Sequence, residues 1–157
     1  MNSFSDEELI NELYAAAKEG VEIKLIIRGI YCLLSSQEKF KKPVIAISII
    51  DEYLEHARIW LFHNGGKEKV FISSADWMVR NLDHRVEASC PILDERLKQE
   101  FKEILNIQLQ DNVKARWLDN NLSNDYVQTD GKKIRSQVET FNYLFSKIPV
   151  ESEISSN

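Results

Sequence analysis

Neither a GxxxxGK[ST] loop nor a GxGxxG turn occurs anywhere in these 157 residues. Both signatures cradle phosphate on consecutive backbone amides, so nucleotide binding of those recognisable kinds is excluded. Cysteine is equally scarce. Cys32 and Cys90 stand far apart in apolar segments, and no Cys or His spacing suggests a zinc site. Two buried free thiols are therefore expected, since a disulfide would need an oxidising compartment for which nothing argues. No apolar run approaches the roughly 20 residues a helix needs to cross a bilayer. No basic stretch leading into an apolar one opens the chain, so no secretory signal is expected and a cytoplasmic location is. An excess of one charge is missing as well. Twenty basic residues against 25 acidic ones give a net charge of −5, which excludes a surface-wide polyanion-binding face. Nucleic acid is not an expected partner, and any phosphate site would be a local basic pocket.

What is present is an ordinary globular composition, 43% hydrophobic and 29% charged, enough for one domain with a proper core. That domain is expected over 1–150, with the closing ESEISSN (151–157) disordered for want of any packing signal. Helix signals begin by the third residue, which suggests a domain cut from a longer polypeptide.

Ser3 or Ser5 can cap a first helix whose first turn holds Asp6, Glu7 and Glu8 and which Gly20 closes. Residues 21–27 alternate and read as a strand, and 44–50 form a continuous apolar run of strand length, expected to be buried on both faces. Strands over 57–62 and 69–73 are joined by Asn64-Gly65-Gly66, a hairpin signal. Residues 76–83 are a short irregular or helical excursion, and 85–88 return to the sheet until Pro91 stops them. Amphipathic helices are expected over 94–105 and 137–147, with a polar, loop-rich 111–135 between them that holds one short strand near 115–118. The sum is an α/β fold with a mixed sheet flanked by helices.

Chemistry concentrates between Leu54 and Glu87. Strand alternation would put His56 and Arg58 on one face. A neutral imidazole can accept a phosphoryl group or donate a proton to a departing oxygen, and a guanidinium beside it can grip phosphate oxygens in pairs. Against this, a strand histidine is more often structural, and Arg58 could simply pair with Glu55 or Glu87. Arg28 ends a strand directly before Gly29, and ligands gather at the carboxyl ends of strands in open α/β sheets. Ser73 and Ser74 end another strand before a helical turn, where free amides attract anions, although serines there are as often plain caps. Asp76, Arg80, Asn81 and Asp83 could orient these groups or be a solvated face. His63 and His84 have no partner pattern, and the three tryptophans read as packing.

The segments HARIW, NGG, ISSADW, RNLD and RVE, with LIIRGIYCL upstream, resemble the C-terminal domain of the long, multidomain bacterial polyphosphate kinases. The similarity runs from Met1 to the RSQ at Arg135–Gln137. More distantly, H-x-R followed by S-S-A-D is similar to the phospholipase D pattern, with Arg58 in place of its lysine, Ser73 of its glycine and Asp76 of its asparagine. The aspartate that pattern expects after the histidine is missing, because His63 and Asn64 occupy the region. After Cys32 the family usually has a basic residue and Pro-Gly, whereas Leu33-Leu34-Ser35-Ser36 stands here.

The resemblance implies a phospholipase D-like fold and reversible transfer of the ATP γ-phosphate to inorganic polyphosphate. The transfer would pass through a phosphohistidine which, with the Mg2+ ligands, lies in a preceding domain that this chain lacks. Arg28 matches the family's nucleotide-phosphate-binding arginine and His56 its second histidine. Arg58 would join them on the phosphates, with Ser73, Ser74 and Asn81 as weaker candidates. Expected partners are ATP, ADP, polyphosphate, the remaining domains of the same enzyme and further copies of it, with at most peripheral contact with a membrane. The chain alone would be inactive. Two rivals are a stand-alone, dimeric half-site phosphodiesterase and a non-catalytic module that binds polyphosphate or nucleotide.

Overall fold

In the computed structural model of the chain, which describes residues 1–148, Asp6 rather than Ser3 or Ser5 starts the first helix. Its carboxylate accepts the Leu9 N–H at 3.0 Å, and α1 runs over Glu7–Glu19. Gly20 ends it at φ 90°, a left-handed conformation that costs glycine little, with its N–H turned back to the Ala16 and Ala17 carbonyls. The remaining elements are β1 (Lys24–Ile26), β2 (Ile45–Ile49), β3 (Ile59–Phe62), β4 (Lys69–Ser73), α2 (Val79–Asp83), β5 (Ser89–Ile92), α3 (Glu95–Leu109), β6 (Ala115–Trp117) and α4 (Ser136–Phe145). The tail expected to be disordered, 151–157, lies outside the described residues.

The strands form two three-stranded sheets rather than one. In the first, β1 pairs parallel with β2, and β2 antiparallel with β6. This sheet is mixed, and its centre is buried on both faces as expected of β2. Ala46 joins a core with Phe4, Ala17, Leu25 and Ile27 beneath α1, while its neighbour Ile47 points the other way into a cluster with Ala115 and Val127. The second sheet, β3-β4-β5, is wholly antiparallel. Its hairpin turns through His63–Glu68, with Asn64, Gly65 and Gly66 all at positive φ.

Three local expectations change. Pro91 does not stop a strand but sits inside β5, opposite Phe71. β5 is an edge strand, where a missing N–H leaves no neighbour unpaired. The helix expected over 94–105 continues to Leu109, capped by Asp94 on the Arg96 and Leu97 amides. Cys32 and Cys90 are exposed, not buried: an apolar neighbourhood in sequence does not place a side chain on the inner face.

The N-terminal segment ties the two sheets together. Phe4, fully buried, donates its N–H to Ile30 O at 2.8 Å and accepts from Cys32 N at 3.1 Å. On its other side Trp77 N bonds to Ser3 O at 3.2 Å, and Ser5 N to Trp77 O at 2.9 Å. The Phe4 ring meets Trp77 edge-on at 5.2 Å, and Trp77 lies 5.7 Å from Trp60 of β3. Two of the three tryptophans thus form an aromatic joint between the sheets.

Candidate active site

Three segments leaving the carboxyl ends of strands carry the polar cluster. Arg28 follows β1, the loop with His56 follows β2, and Asp76 follows β4. Asn2 links them. Its side-chain Oδ1 accepts from Arg28, from Nε at 3.1 Å and also from Nη2. Its backbone N–H donates to Asp76 Oδ1 at 2.9 Å and its Nδ2 to Asp76 Oδ2 at 3.3 Å. Gly29 N donates to Asn2 O at 2.7 Å, and a Cβ on Gly29 would lie only 3.0 Å from that oxygen. The glycine behind Arg28 is therefore required by close backbone approach rather than by an unusual φ.

Asp76 is 2% exposed and receives the Arg58 fork, Nε to Oδ1 at 3.1 Å and Nη2 to Oδ2 at 3.2 Å. Arg58 Nη1 donates to the backbone carbonyl of His56 at 3.1 Å. Each of the three guanidinium nitrogens thus carries an internal bond, two to Asp76 and one to the His56 carbonyl, and the ion pair is with Asp76 rather than with the Glu55 or Glu87 considered from sequence. Burial alone would push the Asp76 carboxyl up. The Arg58 guanidinium and the Asn2 amide outweigh that and hold it below the usual carboxylate range.

His56 and Arg58 do not share a strand face, because β3 starts only at Ile59. His56 lies in the preceding loop with its ring exposed, and none of the hydrogen bonds among the described residues involves the ring. Arg58 turns inward and His56 outward, and the His56 carbonyl joins them. The expected residues Arg28, His56 and Arg58 are accordingly brought together in one bonded chain: Arg28, Asn2, Asp76, Arg58, His56.

Ser73, Ser74 and Asn81 belong to a neighbouring network. Ser74 Oγ donates to Glu87 Oε2, and Asn81 Nδ2 to Glu87 Oε1 at 2.6 Å. These two donors hold the Glu87 carboxyl below its ordinary range. Ser73 Oγ lies 2.8 Å from Ser89 Oγ and accepts the Ala75 N–H at 3.0 Å. The Ala75 and Trp77 amides, which could have faced an anion, are spent on Ser73 Oγ and Ser3 O. Arg80, Asp83, His63 and His84 are exposed. Asn2 was not singled out from sequence, and Glu87 only as a possible partner of Arg58. Asn2 lies 26 residues from Arg28 and 74 from Asp76, so no local pattern announces it.

A sequence profile for polyphosphate kinase C-terminal domain 2 matches residues 1–137. The chain belongs to that family. It is 50% identical over 145 residues to a polyphosphate kinase of Vibrio cholerae and 45% identical over 147 residues to one of Escherichia coli K12. These alignments cover 92% and 93% of this chain but 21% of each relative, so the chain spans about a fifth of their length. The crystal structure of polyphosphate kinase from Porphyromonas gingivalis superposes with a TM-score of 0.90 at 49% identity, covering 94% of this chain and 23% of that one. The fold is thus the phospholipase D-like α/β arrangement of a polyphosphate kinase C-terminal domain, with its strands divided between two sheets.

Proposed function

We propose that this chain forms the C-terminal part of an enzyme that reversibly transfers the ATP γ-phosphate to inorganic polyphosphate. The observation that carries the reading is family membership across residues 1–137 combined with an exposed His56 ring, bonded through its backbone to the Arg58–Asp76–Asn2–Arg28 chain. Transferring a phosphoryl group demands positioning and neutralisation of charge more than covalent chemistry by the protein. Arg28 supplies the neutralising charge at the phosphates, and its Asn2 partner fixes the direction of the guanidinium. His56 donates a proton to the bridging or leaving oxygen, for which an exposed ring without a hydrogen-bond partner among the described residues is suited. Arg58, with a bond at every nitrogen, acts on the phosphates by its field while its bonds brace the His56 carbonyl. Ser74 and Asn81 hold Glu87 at the rim of the same site, and Ser73 ties β4 to β5 beside them.

The phosphohistidine and the Mg2+ ligands come from a preceding domain of the enzyme, and the chain by itself turns over nothing. Among the described residues no three His, Cys, Asp or Glu side chains converge. No step here runs through Mg2+. ATP, ADP, polyphosphate, the other domains and further copies of the enzyme are the proposed partners, in the cytoplasm. No helix among the described residues is long and apolar enough to cross a membrane. The half-site phosphodiesterase reading would need Arg58 free to hold a phosphate, and its fork onto Asp76 counts against that.

The test places this chain in the Vibrio cholerae polyphosphate kinase in exchange for the matching segment, and follows ATP-dependent polyphosphate synthesis. Synthesis is expected, and Arg28→Ala should raise the apparent KM for ATP by about 10-fold or more. An unchanged KM would remove Arg28 from the site.

A further inference from the structure

The loop that carries His56 has no secondary structure of its own. Residues 50–58 run from the end of β2 to the start of β3, and Tyr53, Leu54, Glu55 and His56 are all exposed. An untied loop of this kind would sample many positions for the ring. It is tied from the opposite side by the last helix and by α3. Arg135 forks onto Asp51, Nε to Oδ2 at 2.8 Å and Nη2 to Oδ1 at 2.7 Å, and Nη2 also reaches Glu52 at 3.0 Å. Lys114 stands 3.7 Å from the same Asp51, whose side chain is 1% exposed.

Gln137 does more. Its Oε1 accepts the Tyr53 N–H at 3.1 Å while its Nε2 donates to Tyr53 O at 2.7 Å, so the side-chain amide pairs with both backbone groups as a neighbouring strand would. The same Nε2 lies 3.0 Å from Glu55 Oε1, and Glu55 Oε2 accepts from Gln108 of α3 at 2.7 Å. From the other side, Arg58 holds the His56 carbonyl. The residues on either side of His56 are fixed, and the ring is left free to meet a ligand.

We propose that Gln137, supported by Arg135, is a positioning residue for His56: its amide clamps the backbone of Tyr53 and so sets where the imidazole stands. This rests on the phosphotransfer reading above and adds to it the residues that hold the transfer histidine in place. Chemistry dictates the residue type. A carboxylate at 137 could still accept the Tyr53 N–H, but it could not donate to Tyr53 O and it would face Glu55. Asparagine is one methylene too short to reach both groups.

The experiment uses the same Vibrio cholerae exchange enzyme, comparing Gln137→Ala, Gln137→Asn and Gln137→Glu with His56→Ala. The three Gln137 variants should lower kcat by about 10- to 100-fold, the usual effect of misplacing a reacting group. The apparent KM for ATP should stay within about twofold, since Arg28 is untouched. Hydrogen exchange read by mass spectrometry should speed up in the peptide covering 50–58 and remain unchanged in β1 and β2. Unchanged kcat in all three Gln137 variants, with His56→Ala inactive, would overturn the positioning role alone. Unchanged exchange in 50–58 would likewise overturn the clamp. Full activity of His56→Ala would overturn the phosphotransfer reading, and the inference with it.

Discussion

Replacing Asp76 with Ala should unfold the polar joint between the two sheets, and its cost can be worked from the contacts. The carboxylate is 2% exposed and accepts four hydrogen bonds, two from Arg58 and two from Asn2. Removing one member of a buried ion pair costs about 3–5 kcal/mol, because the remaining charge stays without a partner. The Arg58 side chain is 15% exposed, so water can reach it in part, which favours the lower end of that range. With Asn2 also losing two acceptors, about 3–4 kcal/mol is expected. For a chain of this length that lowers the midpoint of thermal unfolding by roughly 6–16 °C. Asp76→Asn keeps the shape and part of the bonding, and should cost about 1–2 kcal/mol.

The pH dependence gives a second check on the same residue. The folded Asp76 carboxyl titrates below its unfolded value, so its contribution is fully present above the ordinary carboxylate pKa of about 4 and is lost as pH falls through the lower, folded value. Urea unfolding as a function of pH should show a steep acid limb that becomes shallower in Asp76→Asn. Asp51, Asp111 and Glu87 are held low as well and keep part of the slope. An Asp76→Ala variant within about 0.5 kcal/mol of wild type would refute the joint.

Two further substitutions probe the surroundings. Gly29→Ala puts a Cβ 3.0 Å from Asn2 O and 3.2 Å from Ser3 Oγ, and should destabilise by about 1–3 kcal/mol while speeding hydrogen exchange in residues 2–6. A neutral effect would mean that the N-terminal segment is not seated against the β1 end. Arg135→Lys keeps the charge but loses the fork onto Asp51, and should cost about 1–2 kcal/mol in urea unfolding. Loss of that difference in an Asp51→Asn background would assign it to the pair, and its persistence would not.

Much of the architecture was legible because the strongest signals are local. The 3.6-residue apolar spacing marked α1, α3 and α4, and the Asn64-Gly65-Gly66 turn marked the β3–β4 hairpin. The uninterrupted apolar run of β2 signalled a strand buried on both faces, as Ala46 and Ile47 demonstrate by pointing into opposite clusters. Division into two sheets was not legible, because it depends on which strands pair, and β6 comes back to β2 from 115 onward. Exposure of Cys32 and Cys90 escaped for a related reason: hydrophobic neighbours along the chain say little about facing.

At the site, Arg28 was readable as a cation at a strand's carboxyl end, and His56 and Arg58 as a close pair. Their partners were not. Asn2 and Asp76 meet across 74 residues, and Gln137 meets Tyr53 across 84, separations that only the folded chain closes. The RSQ segment stood out as part of a resemblance, yet nothing in its spacing says that its glutamine lies against the His56 loop.

On the proposed function, His56 acts on the phosphoryl group in transit. That role is tested most directly by a single-turnover measurement of phosphoryl transfer from ATP in the exchange enzyme, comparing wild type with His56→Ala. The ring is exposed and bonds to nothing among the described residues, so its removal should leave the thermal midpoint unchanged. The transfer rate should fall by about 10²- to 10⁴-fold, the ordinary worth of a positioned proton donor. A folded His56→Ala enzyme transferring phosphate within about twofold of the wild-type rate would contradict that role.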